Sequence, residues 1–547
     1  MRTRCLGATS AAFAYFATRR PENIHTSQRH PIIATRLKGS VFPAAGLGLR
    51  SHPIDRDLPL SINFSHSYAD LPEVFHTTLP PVPVAAPALF HLNHALARDL
   101  GLDPAYLATD EGVAMLAGNF VPHGAHPIAM AYSGHQFGHW SGQLGDGRAI
   151  LLGEIETPAN TKFDVQLKGS GRTPYSRGGD GRAVLGAVLR EVIVSEAMAA
   201  LGIPTTRALA AVTTGEPVQR ETALAGAVLT RIAASHIRVG TFQHFFAAQD
   251  TASLRRLSDY VIARHYPEAA QDACPALGLL RAVLKRQADL IARWMQVGFI
   301  HGVMNTDNMS LAGETIDYGP CAFMDAYHPG KVFSSIDHQG RYAYNNQPAM
   351  AMWNLAQFAG TLVPVIESTY ADAQSRAQGV LDGFGALFNS AYQACFAAKI
   401  GLGADNREAP ALLERLLSLM AESGADFTLT FQYITRLADT GDGGDVPAGM
   451  AGSQSFDAWL ADWRQAFDGD PVPTNTRMAD MHRANPVYIA RNHRVEAALE
   501  AAYQGDHTPF ETLLDVLSKP LKRRELYAAF ENAPEANEIV HATFCGT

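Results

Sequence analysis

Residues 299–320 read FIHGVMNTDNMSLAGETIDYGP, a stretch that holds two carboxylates, Asp307 and Asp317. Asn308 follows the first carboxylate, and a Tyr-Gly pair follows the second. Taken alone, the Asp-Asn pair is more often an Asx turn or a helix cap, and an Asp before Tyr-Gly is more often a turn residue. Whether the stretch carries chemistry therefore depends on the elements that precede it in the chain.

Two predicted strands and a helix precede that stretch. FDVQLKG, residues 163–169, alternates apolar and polar residues and predicts a half-buried strand that ends at Lys168. AILLGEIE, residues 149–156, predicts a strand that follows the glycine-rich loop GQLGDGR. RAVLGAVLREVIVSEAMAALGIP, residues 182–204, has helical spacing and stop signals at its end, and this helix carries Glu191.

The pattern changes from strands to helices along the chain. Two more strands are predicted around residues 209–212 and 227–232. Long helical patterns such as GLLRAVLKRQADLIARWMQVG, residues 278–298, then dominate, and strands return only near residues 299–320. We therefore expect an α+β protein with a small strand-rich N-lobe, a larger helical C-lobe and a nucleotide cleft between them.

The polar residues follow the order of a protein-kinase site. Phosphoryl and nucleotidyl transfer need a phosphate cradle, a lysine held by a carboxylate, and ligands for Mg²⁺. Each element alone is more often structural, but their joint order predicts a protein-kinase-like two-lobed fold. The elements in chain order are the glycine-rich loop with Arg148, the strand with Lys168, the helix with Glu191, the pair Asp307 and Asn308, and Asp317 in a DYG triplet.

One position departs from the kinase pattern HRDxxxxN. When Asn308 is placed on the final asparagine, His301 falls on the histidine, but Val303 stands where the catalytic aspartate belongs. Asp307 is then the carboxylate nearby that could accept a proton from an attacking hydroxyl. The residues alone leave open an AMP transferase, a kinase that transfers the γ-phosphate, and a catalytically silent ATP-binding scaffold.

Five blocks of the sequence resemble one known family. They are AYSGHQFGHWSGQLGDGRAILLGE, DVQLKGSGRTPYSRGGDGRAVLGAVLRE, SHIRVGTFQHF, HGVMNTDNMSLAGETIDYGPCAFMD and NPVYIARN. Together they resemble the SelO (YdiU) family of protein adenylyltransferases, from about residue 58 to the C-terminus. The resemblance implies a pseudokinase fold with family-specific extensions that binds ATP in a flipped orientation. AMP would then pass to Ser, Thr or Tyr hydroxyls of proteins, and pyrophosphate would leave.

The resemblance also implies roles for individual residues. Asp307 accepts the proton, Asn308 and Asp317 bind Mg²⁺ (with Mn²⁺ as the alternative), and Glu191 supports the lysine. The arginines among the expected ATP-binding residues can bind phosphate oxygens through two N–H groups at once. The residues expected to hold ATP are Gly145, Gly147, Arg148, Lys168, Asp180, Gly181, Arg231 and Arg238.

The amino-acid composition limits the classes of partner that the chain is expected to bind. The 44 basic residues are outnumbered by 53 acidic ones, and the net charge of −9 gives no general attraction to nucleic acid or to an anionic membrane. No apolar run approaches the roughly 20 residues that span a bilayer. The composition therefore predicts neither nucleic acid nor membrane as a partner, while the family resemblance implies ATP and hydroxyl-bearing proteins.

The chain divides into three expected parts. Residues 1–57 are Arg-rich and acid-poor, which predicts a disordered extension, an upstream start codon or a transit-like segment. Residues 58–240 would hold the N-lobe with its nucleotide loop, and residues 241–547 the helical C-lobe with a C-terminal cysteine tail. The location expected is cytoplasmic if the protein is bacterial, and mitochondrial if residues 1–57 are a real transit peptide.

Cysteines and histidines give two weaker signals. The five cysteines lack the paired spacing of a disulfide framework or a zinc site. The family resemblance implies a redox role for Cys545, with Cys321 as the candidate partner. His135 and His139 have the i, i+4 spacing of metal ligands, but Gly138 between them argues against a helix and favours structural or phosphate-loop roles.

Overall fold

The computed structural model describes residues 62–366 and 369–543, so the predictions for residues 1–57 and for Cys545 lie outside the described residues. The strands of the described part are β1 (Phe64–Ser65), β2 (His76–Thr78), β3 (Ala88–Leu92), β4 (Ile128–Met130), β5 (Gly134–Gln136), β6 (His139–Ser141), β7 (Ala149–Glu156), β8 (Lys162–Lys168), β9 (Ala183–Val184), β10 (Arg207–Gln219), β11 (Ala223–Ala233), β12 (Phe299–Ile300) and β13 (Ala322–Phe323).

The α-helices of the described part lie mostly after the strands. They are α1 (His94–Asp99), α2 (Pro104–Leu107), α3 (Asp110–Ala117), α4 (Leu185–Ala200), α5 (Val239–Ala247), α6 (Thr251–His265), α7 (Pro275–Gln296), α8 (Gln347–Leu362), α9 (Tyr370–Leu381), α10 (Phe384–Lys399), α11 (Ala409–Ser423), α12 (Phe427–Thr440), α13 (Gln454–Asp468), α14 (Thr474–Ala484), α15 (Asn492–Tyr503) and α16 (Thr508–Leu517).

A nine-stranded sheet organises the N-terminal part. Its order is β2-β4-β7-β8-β11-β10-β3, with β1 on β7 and β9 on β11, and the pairs are antiparallel. Lys168 at the end of β8 lies opposite Ala149 of β7 and Leu229 of β11. The strand that ends in the candidate lysine therefore lies in the middle of the sheet.

The sheet is covered on both faces. One face packs against α1 to α3 in a core that includes Leu152, Val165 and Leu167. The other face of β8 carries Asp164 and Gln166, which are only 2% and 0% exposed. The prediction of a half-buried strand was therefore wrong for the polar face, because these side chains bond to buried arginines rather than to water.

Helix α4 follows the predicted periodicity. Its apolar stripe is buried, and the chain leaves the helix at Gly202, whose φ is +72°. Its first turn lacks a side-chain cap from its own segment, and the Tyr503 hydroxyl accepts a hydrogen bond from Gly186 N at 2.8 Å. The residues that follow, predicted as strands around 209–212 and 227–232, lie inside β10 and β11.

Helices dominate the part of the chain after β11, apart from the short β12–β13 pair that flanks the 301–320 stretch. These helices and the α4 side of the sheet share one large apolar core. The expected α+β composition, with a sheet-rich part and a larger helical part, is confirmed. None of the helices in residues 62–366 and 369–543 combines the length and the apolar character needed to cross a membrane.

Candidate active site

A buried ion pair joins the end of β8 to α4. Lys168 Nζ lies 2.6 Å from Glu191 Oε2 and 2.8 Å from Asp317 Oδ1. The helical stripe of α4 turns Glu191 toward the sheet, and its side chain is 5% exposed. The structure therefore brings together three residues that are far apart in the sequence and that were predicted to share one site.

Two arginines complete the cluster around Asp317. Arg231 Nη1 donates to Asp317 Oδ1 at 2.6 Å and to Glu191 Oε1 at 3.2 Å. Arg238 Nη1 donates to Asp317 Oδ2 at 3.3 Å and to the backbone oxygen of Asp307 at 3.0 Å. Three largely buried cations thus surround two carboxylates, and cations held in this way suit a polyanionic ligand such as a triphosphate.

Asp317 is held as an anion in an unusual backbone conformation. Its φ of 62° lies in the left-handed region that non-glycine residues rarely adopt. Burial raises the pKa of its carboxyl, but Lys168, Arg231 and Arg238 outweigh burial and hold the pKa well below its usual range. The carboxylate is therefore charged at neutral pH and able to bind a metal ion.

Asp307 lies in a short 3-10 turn, Thr306–Asn308, and is 8% exposed. Gln136 Nε2 donates to its Oδ2 at 3.2 Å, whereas its buried Oδ1 has no hydrogen-bond partner among the described residues. Burial raises the pKa of Asp307 to about 6. A carboxylate with one oriented and one unpaired oxygen has the geometry of a proton acceptor.

Neighbouring residues hold this turn in place. Asn308 Nδ2 donates to Val303 O at 3.0 Å, which leaves the side-chain oxygen of Asn308 free for a ligand. His301 accepts a hydrogen bond from Val303 N at its Nδ1, and its Nε2 donates to Ile316 O at 2.9 Å. The predicted motif histidine therefore ties the Asp307 turn to the segment that carries Asp317.

The glycine-rich loop lies beside the same strand end. Gly145 has a φ of +90°, and a Cβ there would lie 2.4 Å from the ring of Tyr175. A Cβ on Gly147 would lie 2.8 Å from the backbone oxygen of Tyr175. Gly169 N donates to Arg148 O at 2.7 Å, and the guanidinium of Arg148 makes no hydrogen bond or ion pair within the described residues. Arg148 is therefore available to a ligand near Lys168.

Asp180 and Gly181 do not join the cluster around Asp317. Asp180 lies at the exposed rim and accepts hydrogen bonds from Arg220 Nη1 at 2.7 Å and from Arg182 N at 2.9 Å. Gly181, with a φ of +69°, contacts the backbone of Gly171 so closely that a Cβ would collide with it. The structure places both residues in the loop that follows β8, apart from the buried cations.

Sequence reasoning missed two glutamines that orient the charged groups. Gln166 accepts from Arg231 Nη2 at 2.6 Å and donates to Asp146 Oδ2 at 3.2 Å. Gln136 reaches Asp307 from the β5–β6 hairpin. The signal for Gln166 was its place on the polar face of β8, two residues before Lys168; no local signal pointed to Gln136.

The weaker sequence signals have these positions in the structure. No group of three His, Cys, Asp or Glu side chains that could hold a metal ion occurs in the described part of the chain, and His135 instead packs against Trp140 and Trp353. Cys321 is fully buried, and Thr543 Oγ1 donates to the preceding Pro320 O at 2.6 Å. The pairing of Cys321 with Cys545 stays a prediction.

Comparison with known proteins gives one consistent result. The family model described as "Protein adenylyltransferase SelO" matches residues 59–518. A "Protein nucleotidyltransferase YdiU" of Rhodopseudomonas palustris (strain BisB18) is 56% identical over 485 residues, and one of Methylorubrum populi (strain ATCC BAA-705 / NCIMB 13946 / BJ001) is 54% identical over 492 residues. Both alignments cover 88% of this chain and 99% of the relative.

Proposed function

The chain belongs to the SelO family of protein adenylyltransferases. On that premise we propose that the site around its buried cation cluster catalyses the transfer of AMP from ATP to hydroxyl side chains of other proteins. The acceptor is a Ser, Thr or Tyr hydroxyl, and pyrophosphate is the leaving group. The observation that carries the proposal is the convergence of Lys168, Arg231 and Arg238 on Asp317.

The cation cluster supplies what the leaving group needs. As the bond between the α-phosphorus and the bridging oxygen breaks, negative charge grows on pyrophosphate. Preorganised cations in a site shielded from water lower the free energy of that charge more than water would. Lys168, Arg231 and Arg238 are 11%, 3% and 3% exposed at their side chains, and their partners hold them in place before ATP arrives.

Asp307 is the proposed general base. The acceptor oxygen forms a bond to the α-phosphorus as pyrophosphate leaves, and its proton passes to the carboxylate of Asp307, whose Oδ1 has no hydrogen-bond partner among the described residues. Gln136 holds the other oxygen, so the carboxylate is oriented before the hydroxyl binds. The family resemblance implies the flipped ATP orientation that turns the α-phosphate toward this carboxylate.

Asn308 and Asp317 are the proposed ligands of Mg²⁺, with Mn²⁺ as the alternative. Two protein oxygen ligands are typical of Mg²⁺ sites, where substrate phosphates and waters complete the coordination. The free side-chain oxygen of Asn308 and the anionic state of Asp317 support this assignment. The bound ion would neutralise phosphate charge.

We also propose the finer parts of the fold and site. The Lys168–Glu191 pair between a central strand and α4 supports a protein-kinase-like fold with residues 58–240 and 241–547 as its two regions. Gly145, Gly147 and Arg148 would cradle phosphates beside Lys168, and Asp180 with Gly181 would contact the nucleotide from the rim. The bacterial relatives support a cytoplasmic location.

The experiment follows label and pyrophosphate together. The full chain is incubated with Mg²⁺ and ATP labelled at the α-phosphate, with protein-bound label and released pyrophosphate measured in the same sample. We expect equal amounts of both from the wild type, and a loss of both in Lys168→Met. Lys162→Met, at the exposed opposite end of β8, is the matched control and should retain activity. Pyrophosphate without protein-bound label would contradict the proposal.

A further inference from the structure

Arg341 lies near the Asp307 turn and has no carboxylate partner among the residues that the structure describes. Its guanidinium carbon lies 4.8 Å from the ring centroid of Trp353 and 5.7 Å from that of Tyr342. Its Nε is buried without a hydrogen-bond partner, and no ion pair joins it to a carboxylate in the described part of the chain. The side chain thus packs on aromatic rings, and its guanidinium makes no ion pair with a carboxylate among the described residues.

Aromatic rings continue from Arg341 across the adjoining surface. Trp353 packs against His135, with ring centroids 5.3 Å apart, and His135 packs against Trp140 at 5.1 Å. The side chain of Trp140 is 45% exposed, which is unusual for a residue of this size. We call Arg341, Trp353, His135 and Trp140 the Arg341 patch.

The β5–β6 hairpin connects the Arg341 patch to Asp307. Gln136 of the hairpin donates to Asp307 Oδ2 at 3.2 Å, and Phe137 N donates to Asn305 Oδ1 at 2.9 Å. At its turn, a Cβ placed on Gly138 would lie 3.4 Å from the guanidinium carbon of Arg341. One three-residue segment therefore touches both the candidate base and the unpaired cation.

This arrangement places a positive charge beside the hairpin that contacts the candidate base. We propose that the Arg341 patch binds an acidic side chain of the acceptor protein, close in its sequence to the hydroxyl that receives AMP. The inference rests on the proposed function and names the class of acceptor. A planar guanidinium held on rings presents its N–H edge to a carboxylate in bidentate geometry. The exposed face of Trp140 would cover the adjoining acceptor segment.

The charge of the whole chain makes this cation selective. The net charge of −9 repels acidic segments in general. An acidic acceptor segment would therefore be attracted by the nearby Arg341 and not by the charge of the whole protein. A phosphate of the nucleotide is the other anion that Arg341 could meet. If Arg341 binds a carboxylate of the acceptor, its loss should change which sites are modified. If it binds a phosphate of the nucleotide, its loss should weaken ATP binding.

The test compares modified sites and nucleotide binding. A bacterial cell lysate is treated with the full-length wild type, Arg341→Gln, Arg341→Lys or Arg341→Glu and with Mg²⁺-ATP, and AMP-modified residues are mapped by mass spectrometry. Calorimetry measures Mg²⁺-ATP binding by each protein. Arg464→Gln, which removes an exposed arginine on α13, is the matched control.

We expect Asp and Glu to be enriched around the sites that the wild type and the control modify. Arg341→Gln should lower transfer to acidic sites about tenfold, the effect of losing a charged hydrogen-bond partner. Arg341→Lys should keep the acidic preference, because it keeps the charge. Arg341→Glu should shift the preference toward Lys and Arg, and ATP binding should be unchanged in all variants.

Two results would overturn the inference while leaving the proposed function intact. One is modification by the wild type without any enrichment of acidic residues near the modified hydroxyl. The other is weaker ATP binding in Arg341→Gln with an unchanged set of sites, which would assign Arg341 to the nucleotide. Absence of AMP from every protein, including the enzyme itself, would instead overturn the proposed function and this inference with it.

Discussion

The charge balance around Asp317 predicts that its loss destabilises the fold more than the loss of Lys168. In Asp317→Asn, Lys168, Arg231 and Arg238 stay buried while Glu191 is the carboxylate that remains in the cluster. Leaving buried charge without its partner costs about 3–5 kcal/mol. Lys168→Met removes two charged hydrogen bonds, but both carboxylates keep an arginine partner and no buried charge is left unpaired, so the loss of unfolding free energy should be smaller than in Asp317→Asn.

Urea unfolding of the two single variants and the double variant measures this difference. The double variant removes one cation and one carboxylate, and so restores the net charge that the cluster has in the wild type. Its loss of unfolding free energy should therefore be smaller than the sum of the two single losses. Equal losses in Asp317→Asn and Lys168→Met, or strict additivity in the double variant, would refute the charge-balance argument.

Three further variants test other parts of the site. Asp307→Asn should bind Mg²⁺-ATP normally in calorimetry but lose about 10²–10⁴ in the rate of AMP transfer, the range for a positioned general base; a wild-type rate would refute the base assignment. Gly145→Ala should unfold at a lower urea concentration than Gly178→Ala, because both residues have positive φ but only the first would press a Cβ into the Tyr175 ring; equal midpoints would contradict this. Burial raises the pKa of Asp146 from 3.8 to about 6, so the folded state binds this proton more tightly and the contribution of Asp146 to stability should fall as pH rises from 4 to 6. Asp146→Asn mimics the protonated acid, so its stability relative to the wild type should rise by about 2 kcal/mol between pH 4 and pH 7; a constant difference would show that the carboxyl is not perturbed.

Local periodicity was sufficient to predict the elements that carry the site. The alternation of FDVQLKG located β8, and the apolar spacing after Arg182 located α4, because both signals depend on neighbours within a few residues. The order of Lys168, Glu191 and Asp317 along the chain then predicted a contact that the structure contains.

Contacts between distant residues could not be predicted in this way. Gln166 is buried because Arg231 lies opposite it on the neighbouring strand, and Asp164 because Arg264 reaches it from α6. The sequence of β8 itself does not indicate either arginine partner. The hydrogen bond between Gln136 and Asp307 spans 171 residues and depends on how the hairpin packs on the helical part.

The contact that Asp180 makes at the rim of the site could also not be predicted from the sequence pattern. Asp180 was expected to hold nucleotide, and in the structure its carboxylate pairs with Arg220 at 2.7 Å. Arg220 lies in the connection between β10 and β11, outside the local pattern of the loop that carries Asp180.

The central claim is that the protein transfers AMP and not phosphate. The most direct test gives the full chain Mg²⁺ and ATP with different isotopes at the α- and γ-phosphates, and counts both isotopes on the protein after denaturation and washing. We expect the α-isotope alone to stay on the protein, and Asp317→Asn to carry neither isotope. Protein that carries the γ-isotope without the α-isotope would contradict the account and identify a kinase.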